Sequence, residues 1–156
     1  PSEIGYRMST APKAVGLAMN KLDTPIKRRA EFRVQTKLWP GVGVPDKPGN
    51  GFLVFGDGPG DDQTVKCGFR VSGRRIFLVQ GPLEGGASNS APADVKSDDL
   101  AEIRVVVDLE NQTVSMTMKH ETLTADLERP LQAVTWVGCC LSSVTTDFSP
   151  VDVSGE

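Results

Sequence analysis

Period-two alternation of apolar and polar residues is the feature that most constrains this chain. Phe32, Val34, Thr36 and Leu38 alternate with polar residues in "EFRVQTKL" (31–38). Val65, Cys67, Phe69 and Val71 do the same in "TVKCGFRV" (64–71), as do Ile103, Val105, Val107 and Leu109 in "AEIRVVVDL" (101–109). Val114, Met116 and Met118 continue the pattern in "TVSMTMK" (113–119). Successive side chains of a strand point to opposite faces, so each segment carries one apolar face that must find cover. A helix repeats every 3.6 residues and would scatter these side chains around its axis. Two half-dry sheets packed face to face bury them all.

The segments between the strands are turns. "WPGVGVPDKPGNG" (39–51) is dense in Gly and Pro, "PGDDQ" (59–63) is a second turn, and Ser72-Gly73 is a tight-hairpin signal. Glu110-Asn111-Gln112 and His120-Glu121 turn the chain again. Further strands are read in "FLVFGDG" (52–58), "RRIFLVQG" (74–81), "TLTADL" (122–127), "AVTWVGCCL" (133–141) and "TDFSPVDVSG" (146–155), the last interrupted by Pro150. Residues 82–99 read as one long small-polar loop, of a length often functional or mobile. Residues 13–22 contain Gly16 and no firm cap, which favours a strand or irregular entry segment over a helix. Roughly eight to ten short strands make the chain all-β, an antiparallel two-sheet β-sandwich. With 156 residues and 38% hydrophobic content, residues 1–156 suffice for one domain with a core. The chain opens on Pro-Ser-Glu with no signal region, and both ends read as boundaries of a domain excised from a longer protein.

Composition narrows the function classes. The net charge is −3, and the short run Lys27-Arg28-Arg29 reads as a solvated strand end, which argues against nucleic acid. No apolar run reaches the ~18 residues of a spanning helix, so no membrane insertion is expected. One His and one Tyr leave few acid–base catalysts, and His120 falls in an exposed turn. Glu102, Asp108, Glu121 and Glu128 do not form the carboxylate pair at strand spacing that glycoside hydrolysis needs. No catalytic residue is assigned. Cys67, Cys139 and Cys140 are odd in number, two of them adjacent, and match neither a disulfide framework nor zinc-ligand spacing. They read as small buried apolar residues.

The order "GFLVFGDG", "VKCGFRVSGRRIFLVQG", a long loop, "LAEIRVVVDLENQTVSMTMKHETL" and "AVTWVGCCLSSVTTDFSPVDVSG" resembles the laminin-G-like, concanavalin-A-like jelly-roll domains over residues 30–155. The late "WVGCCLSSVTTDFSPVDVSG" is similar to modules appended to bacterial sulfatases and other polysaccharide-degrading enzymes. The resemblance implies a jelly roll acting as a non-catalytic accessory domain of an exported enzyme. Such a domain would be extracellular or periplasmic, would recognise polysaccharide or another glycan, and would adjoin a catalytic domain of the same chain. A structural or protein-interaction module packed on that neighbour is the alternative, with a small glycoside hydrolase third. The resemblance also implies Ca²⁺ at a sandwich rim, for which Asp46, Asp57, Asp61 and Asp62 are the candidate carboxylates. These Asp residues equally suit turns, where they bond their own backbone.

Glycan sites pair an aromatic platform with polar side chains. Trp39, at the head of the Pro/Gly-rich loop, is the candidate platform; Trp136, in a strand, is expected to pack in the core. Alternation places Arg33, Lys37, Arg70 and Arg104 on outward faces, where convergence would suit sulfated or carboxylated glycans and separation would make them ordinary solvated residues.

Overall fold

The computed structural model describes residues 4–10, 14–38, 50–70, 74–96, 100–142 and 145–156. Its strands are β1 (Tyr6–Ser9), β2 (Val15–Ile26), β3 (Arg29–Leu38), β4 (Asn50–Gly56), β5 (Thr64–Arg70), β6 (Arg75–Gln80) and β7 (Ala87–Pro92). They continue as β8 (Leu100–Asp108), β9 (Thr113–Met118), β10 (Glu121–Asp126), β11 (Val134–Ser142), β12 (Thr145–Phe148) and β13 (Asp152–Gly155). A short 3₁₀ turn, Asp61–Gln63, precedes β5. The strands form two antiparallel sheets, as the alternation requires. One is seven-stranded, in the order β1-β12-β3-β8-β9-β10 with β13 also paired to β3; the other is six-stranded, in the order β2-β11-β4-β5-β6-β7.

The core lies between them. Phe32, Val34, Ile103, Val105, Val107, Val114, Met116 and Met118 face inward from the seven-stranded sheet, meeting Leu53, Phe55, Cys67, Phe69, Ile76, Leu78, Val137 and Cys139 from the six-stranded one. The Phe32 and Phe55 rings stack across the interface with centroids 5.9 Å apart. All three cysteines are free and buried. Cys139 points into this core, while Cys140 joins a separate cluster on the other side of its sheet. The two adjacent thiols therefore face apart, as strand geometry demands.

The entry segment is a strand, as its sequence favours: β2, 12 residues long, pairing with β11 along its length. Three segments differ from the sequence reading. β1, not foreseen, is only four residues long and pairs with β12. The 82–99 segment is not a continuous loop: a strap over 81–86 is followed by β7, "ASNSAP", whose lack of apolar side chains hid it. The terminal strand is two strands on the same edge of β3. Between them Pro150 cannot join the ladder, and Ser149 bridges the gap. Its N–H donates to Gln35 O at 2.9 Å, and its Oγ accepts from Gln35 N–H at 2.8 Å.

The inter-sheet stack yields a stability prediction. Phe32→Ala removes a ring with 0% exposure from the centre of the interface. Urea denaturation should show a loss of about 3–5 kcal/mol, whereas Thr122→Ala on exposed β10 should stay within about 0.5 kcal/mol.

Candidate functional site

The outer faces of the two sheets are chemically different. On the seven-stranded sheet, Arg33 lies opposite Arg104 across β3 and β8, and Lys37 lies on the same face. Both arginines bond Glu31 Oε1: Arg33 Nη2 at 2.8 Å and Arg104 Nε at 2.8 Å. These two donors hold the Glu31 carboxyl down at about 2. Arg7 makes a two-point pair with Asp147, at 2.8 and 3.3 Å. Gln35 donates to Glu102 at 3.3 Å. These cations and carboxylates are therefore matched within the protein.

Arg70 is on the other sheet. The sequence-derived set of Arg33, Lys37, Arg70 and Arg104 thus divides, because β5 belongs to the six-stranded sheet and β3 and β8 to its partner. Trp39 and Asp46 lie outside the described residues. Trp136 is not in the core: it is half-buried on the outer face of the six-stranded sheet, opposite Lys21 and Gly56. The inward positions of β11 go instead to Val137, Cys139 and Leu141.

The centre of this second outer face is dry. Phe52, Val54 and Cys140 point outward from β4 and β11, yet are sealed by Leu83 from the strap. The strap is held by a clamp around Lys66, whose side chain is 0% exposed. Its ammonium pairs with Asp61 Oδ1 at 2.8 Å and donates to Gly81 O at 2.7 Å and to Asp61 O. The same Asp61 Oδ1 accepts the Leu83 N–H at 3.1 Å. A buried ammonium without these acceptors would be prohibitively costly, so the clamp and the seal form together. Gly81 and Gly85 turn the strap at φ +93° and +101°, conformations that favour glycine. Burial pushes the Cys140 thiol up to about 12.

Beyond the seal, towards β7, the face is polar. Arg70 and Arg75 stand directly opposite one another on β5 and β6. This is the register that a two-residue Ser72-Gly73 connection requires; the turn itself lies outside the described residues. The Arg70 guanidinium sits over the half-buried Phe77 ring, 5.5 Å from its centroid. Its Nε is buried and has no hydrogen-bond partner among the described residues. Arg75 donates from Nε and Nη2 to Ser90 Oγ on β7, at 3.1 and 3.0 Å. Glu84, on the strap next to Leu83, reaches Arg70 at 3.5 Å and is 69% exposed. Ser88 and Ser90 extend the polar strip along exposed β7.

The three described carboxylates of the expected calcium rim are not brought together. Asp57 makes a two-point pair with Arg129 at 2.7 and 3.1 Å, Asp61 serves the Lys66 clamp, and Asp62 lines an end cavity of about 130 Å³ with Glu128 and Arg129. Among the described residues no three His, Cys, Asp or Glu side chains converge. These positions do not fit a calcium site, which needs several oxygens around one point. His120 is exposed in the tight β9–β10 turn at φ +66°.

Arg75, Phe77, Glu84 and Lys66 were missed in the sequence. A signal existed for the first two, since Ser72-Gly73 pairing already sets Arg70 against Arg75 and leaves Phe77 on their side. None existed for Glu84, which reaches this face only because Leu83 folds back over the sheet.

No protein-family model matches the sequence, and no curated protein matches it. Solved structures do resemble the fold. A carbohydrate-binding module, CBM66 from Bacillus subtilis, aligns over 99% of this chain and 89% of its own, with TM-score 0.73 and 9% identity. CG-16, a homodimeric agglutinin from chicken liver, aligns over 88% of this chain and 98% of its own, with TM-score 0.65 and 8% identity. A toad ovary galectin, solved with thio-digalactose, aligns over 88% of this chain and 97% of its own, with TM-score 0.60 and 8% identity. The chain is a jelly-roll β-sandwich.

Two measurements check the electrostatics. Asp61→Ala leaves Lys66 buried without its counter-charge, and should cost about 3 kcal/mol and open Cys140 to thiol reagents; Lys66→Met, which fits the apolar surroundings, should cost less. In an NMR titration the Glu31 carboxyl should protonate near pH 2, and Arg104→Ala should raise that midpoint. Because this pKa is depressed on folding, the pair stabilises the protein above the ordinary carboxylate range. That contribution should fade as pH falls through about 2.

Proposed function

We propose that this chain is a non-catalytic carbohydrate-binding domain that holds glycan on the outer face of the six-stranded sheet, over β5, β6 and β7. The observation that carries this reading is the arrangement around Phe77. One guanidinium lies over the ring with a buried unpaired donor, a second stands across from it, and hydroxyls of β7 lie alongside. Sugars offer hydroxyl groups on an otherwise apolar ring, and sites with a few fixed polar groups beside an aromatic suit them. The likeness in fold to a carbohydrate-binding module, an agglutinin and a galectin solved with thio-digalactose supports the same ligand class. The non-catalytic reading is supported by carboxylates already engaged: Glu102 with Gln35, Asp57 with Arg129, and Asp108 with the turn at Asn111.

The proposal extends to context. The domain would belong to an exported enzyme, extracellular or periplasmic, beside a catalytic domain of the same chain. The sulfatase-module resemblance of residues 136–155 is the support for that extension. The packing alternative has little to rest on: Val15, Leu100 and Val153, the exposed large apolar residues among those described, lie on three different strands.

Affinity electrophoresis of the protein through gels carrying a panel of polysaccharides tests the binding reading. Retention by at least one polymer is expected. Ser90→Trp, which places bulk on the polar strip, should abolish it, while Thr124→Trp on the exposed outer face of the other sheet should leave it intact. Retention by no polymer, or equal loss in both variants, would overturn the proposal.

A further inference from the structure

Four features of the Phe77 strip point to more than a generic sugar site. Arg70 and Arg75 are direct cross-strand partners on one face. Like charges directly opposite each other destabilise a sheet, so such a pair calls for compensation. The other sheet shows such compensation: Arg33 and Arg104 also stand opposite each other, and Glu31 bonds both at 2.8 Å. Here it is incomplete. Arg75 contacts the neutral Ser90 hydroxyl and makes no ion pair among the described residues. Among the described residues Arg70 has only Glu84, at 3.5 Å and largely in solvent.

The geometry of Arg70 adds a fourth observation. Its Nε is withdrawn from water and unsatisfied, although the side chain as a whole is 34% exposed. A buried donor left unpaired costs free energy, which the guanidinium recovers by swinging out to pair with an oxyanion. The Phe77 ring supports the guanidinium at 5.5 Å and restricts where it points. Guanidinium groups match planar oxyanions, binding them with two parallel N–H donors.

We infer that the ligand carries an anionic group, the carboxylate of a uronic acid or a sulfate ester, seated between Arg70 and Arg75, with Glu84 occupying the cationic site until glycan displaces it. This deepens the carbohydrate reading and rests on it. Glu84 is suited to that exchange. Leu83 anchors the strap in the apolar seal, while Glu84, one residue on, extends into water with a long contact that a better-placed anion replaces.

The test uses matched polymers in affinity electrophoresis: polygalacturonate against its methyl ester, and κ-carrageenan against its desulfated form. The protein should bind at least one charged polymer about tenfold or more tightly than its neutral counterpart, the effect of one charge-assisted hydrogen-bond pair. The arm that responds distinguishes carboxylate from sulfate. Arg75→Gln should remove that preference while leaving the urea midpoint unchanged or raised, because it relieves the Arg70–Arg75 repulsion. Glu84→Gln should strengthen binding of the charged polymer severalfold, since the internal competitor is gone. Equal retention of charged and neutral polymers, or weaker binding after Glu84→Gln, would overturn the anionic assignment and leave the carbohydrate reading standing. Retention by neither kind would remove both.

Discussion

An ammonium group with no access to water sits on the outer face of the six-stranded sheet, and the form of that face follows from it. Lys66 points outward from β5 between Val54 and Val79, where an exposed lysine would be unremarkable. Here it is 0% exposed, because the strap closes over it. The closure is sustainable only because Asp61 supplies the charge and Gly81 a carbonyl. Asp61 also accepts the Leu83 N–H, so the group that neutralises Lys66 also sets the strap. Leu83 then dries Phe52, Val54 and Cys140, and Glu84 is delivered beside Arg70.

The result is a face with two zones. One is a small second core, covered by Leu83 of the strap. The other is the polar strip of Arg70, Arg75, Phe77 and Ser90, which remains accessible. The opposite sheet provides the contrast. Its outer face carries as much charge, but Glu31 and Asp147 are placed so that the cations beside them are satisfied internally. A face already neutralised by its own side chains has less to gain from an incoming ligand than one with an orphaned donor. That difference, rather than the number of arginines, favours the six-stranded side as the ligand face.

The fold was well marked in the chain. Phe32, Val34, Ile103, Val105, Val107, Val114, Met116 and Met118 are buried where alternation placed them, because a strand with one apolar face has only one way to turn. Pro150 was correctly read as an interruption. What escaped were β1, too short to show a period, and β7, whose Ser, Asn and Ala side chains carry no apolar signal because neither of its faces is fully covered. Trp136 was misjudged because a strand tryptophan has two faces to choose from, and the inward positions of β11 were taken by Val137 and Cys139.

By itself, then, the sequence determined which residues pack inward, and therefore that the molecule is an antiparallel sandwich. Those choices depend on local periodicity and on turns a few residues long. The structure alone decided which outward residues share a surface. Arg33, Lys37, Arg70 and Arg104 look equivalent along the chain, yet sheet membership separates Arg70 from the rest. Asp57 and Asp61 look like neighbours in a rim, yet Arg129 and Lys66 draw them to different partners. Such groupings come from strand order and from a loop folding back on a sheet. They join residues far apart in the chain, and no short-range pattern encodes them.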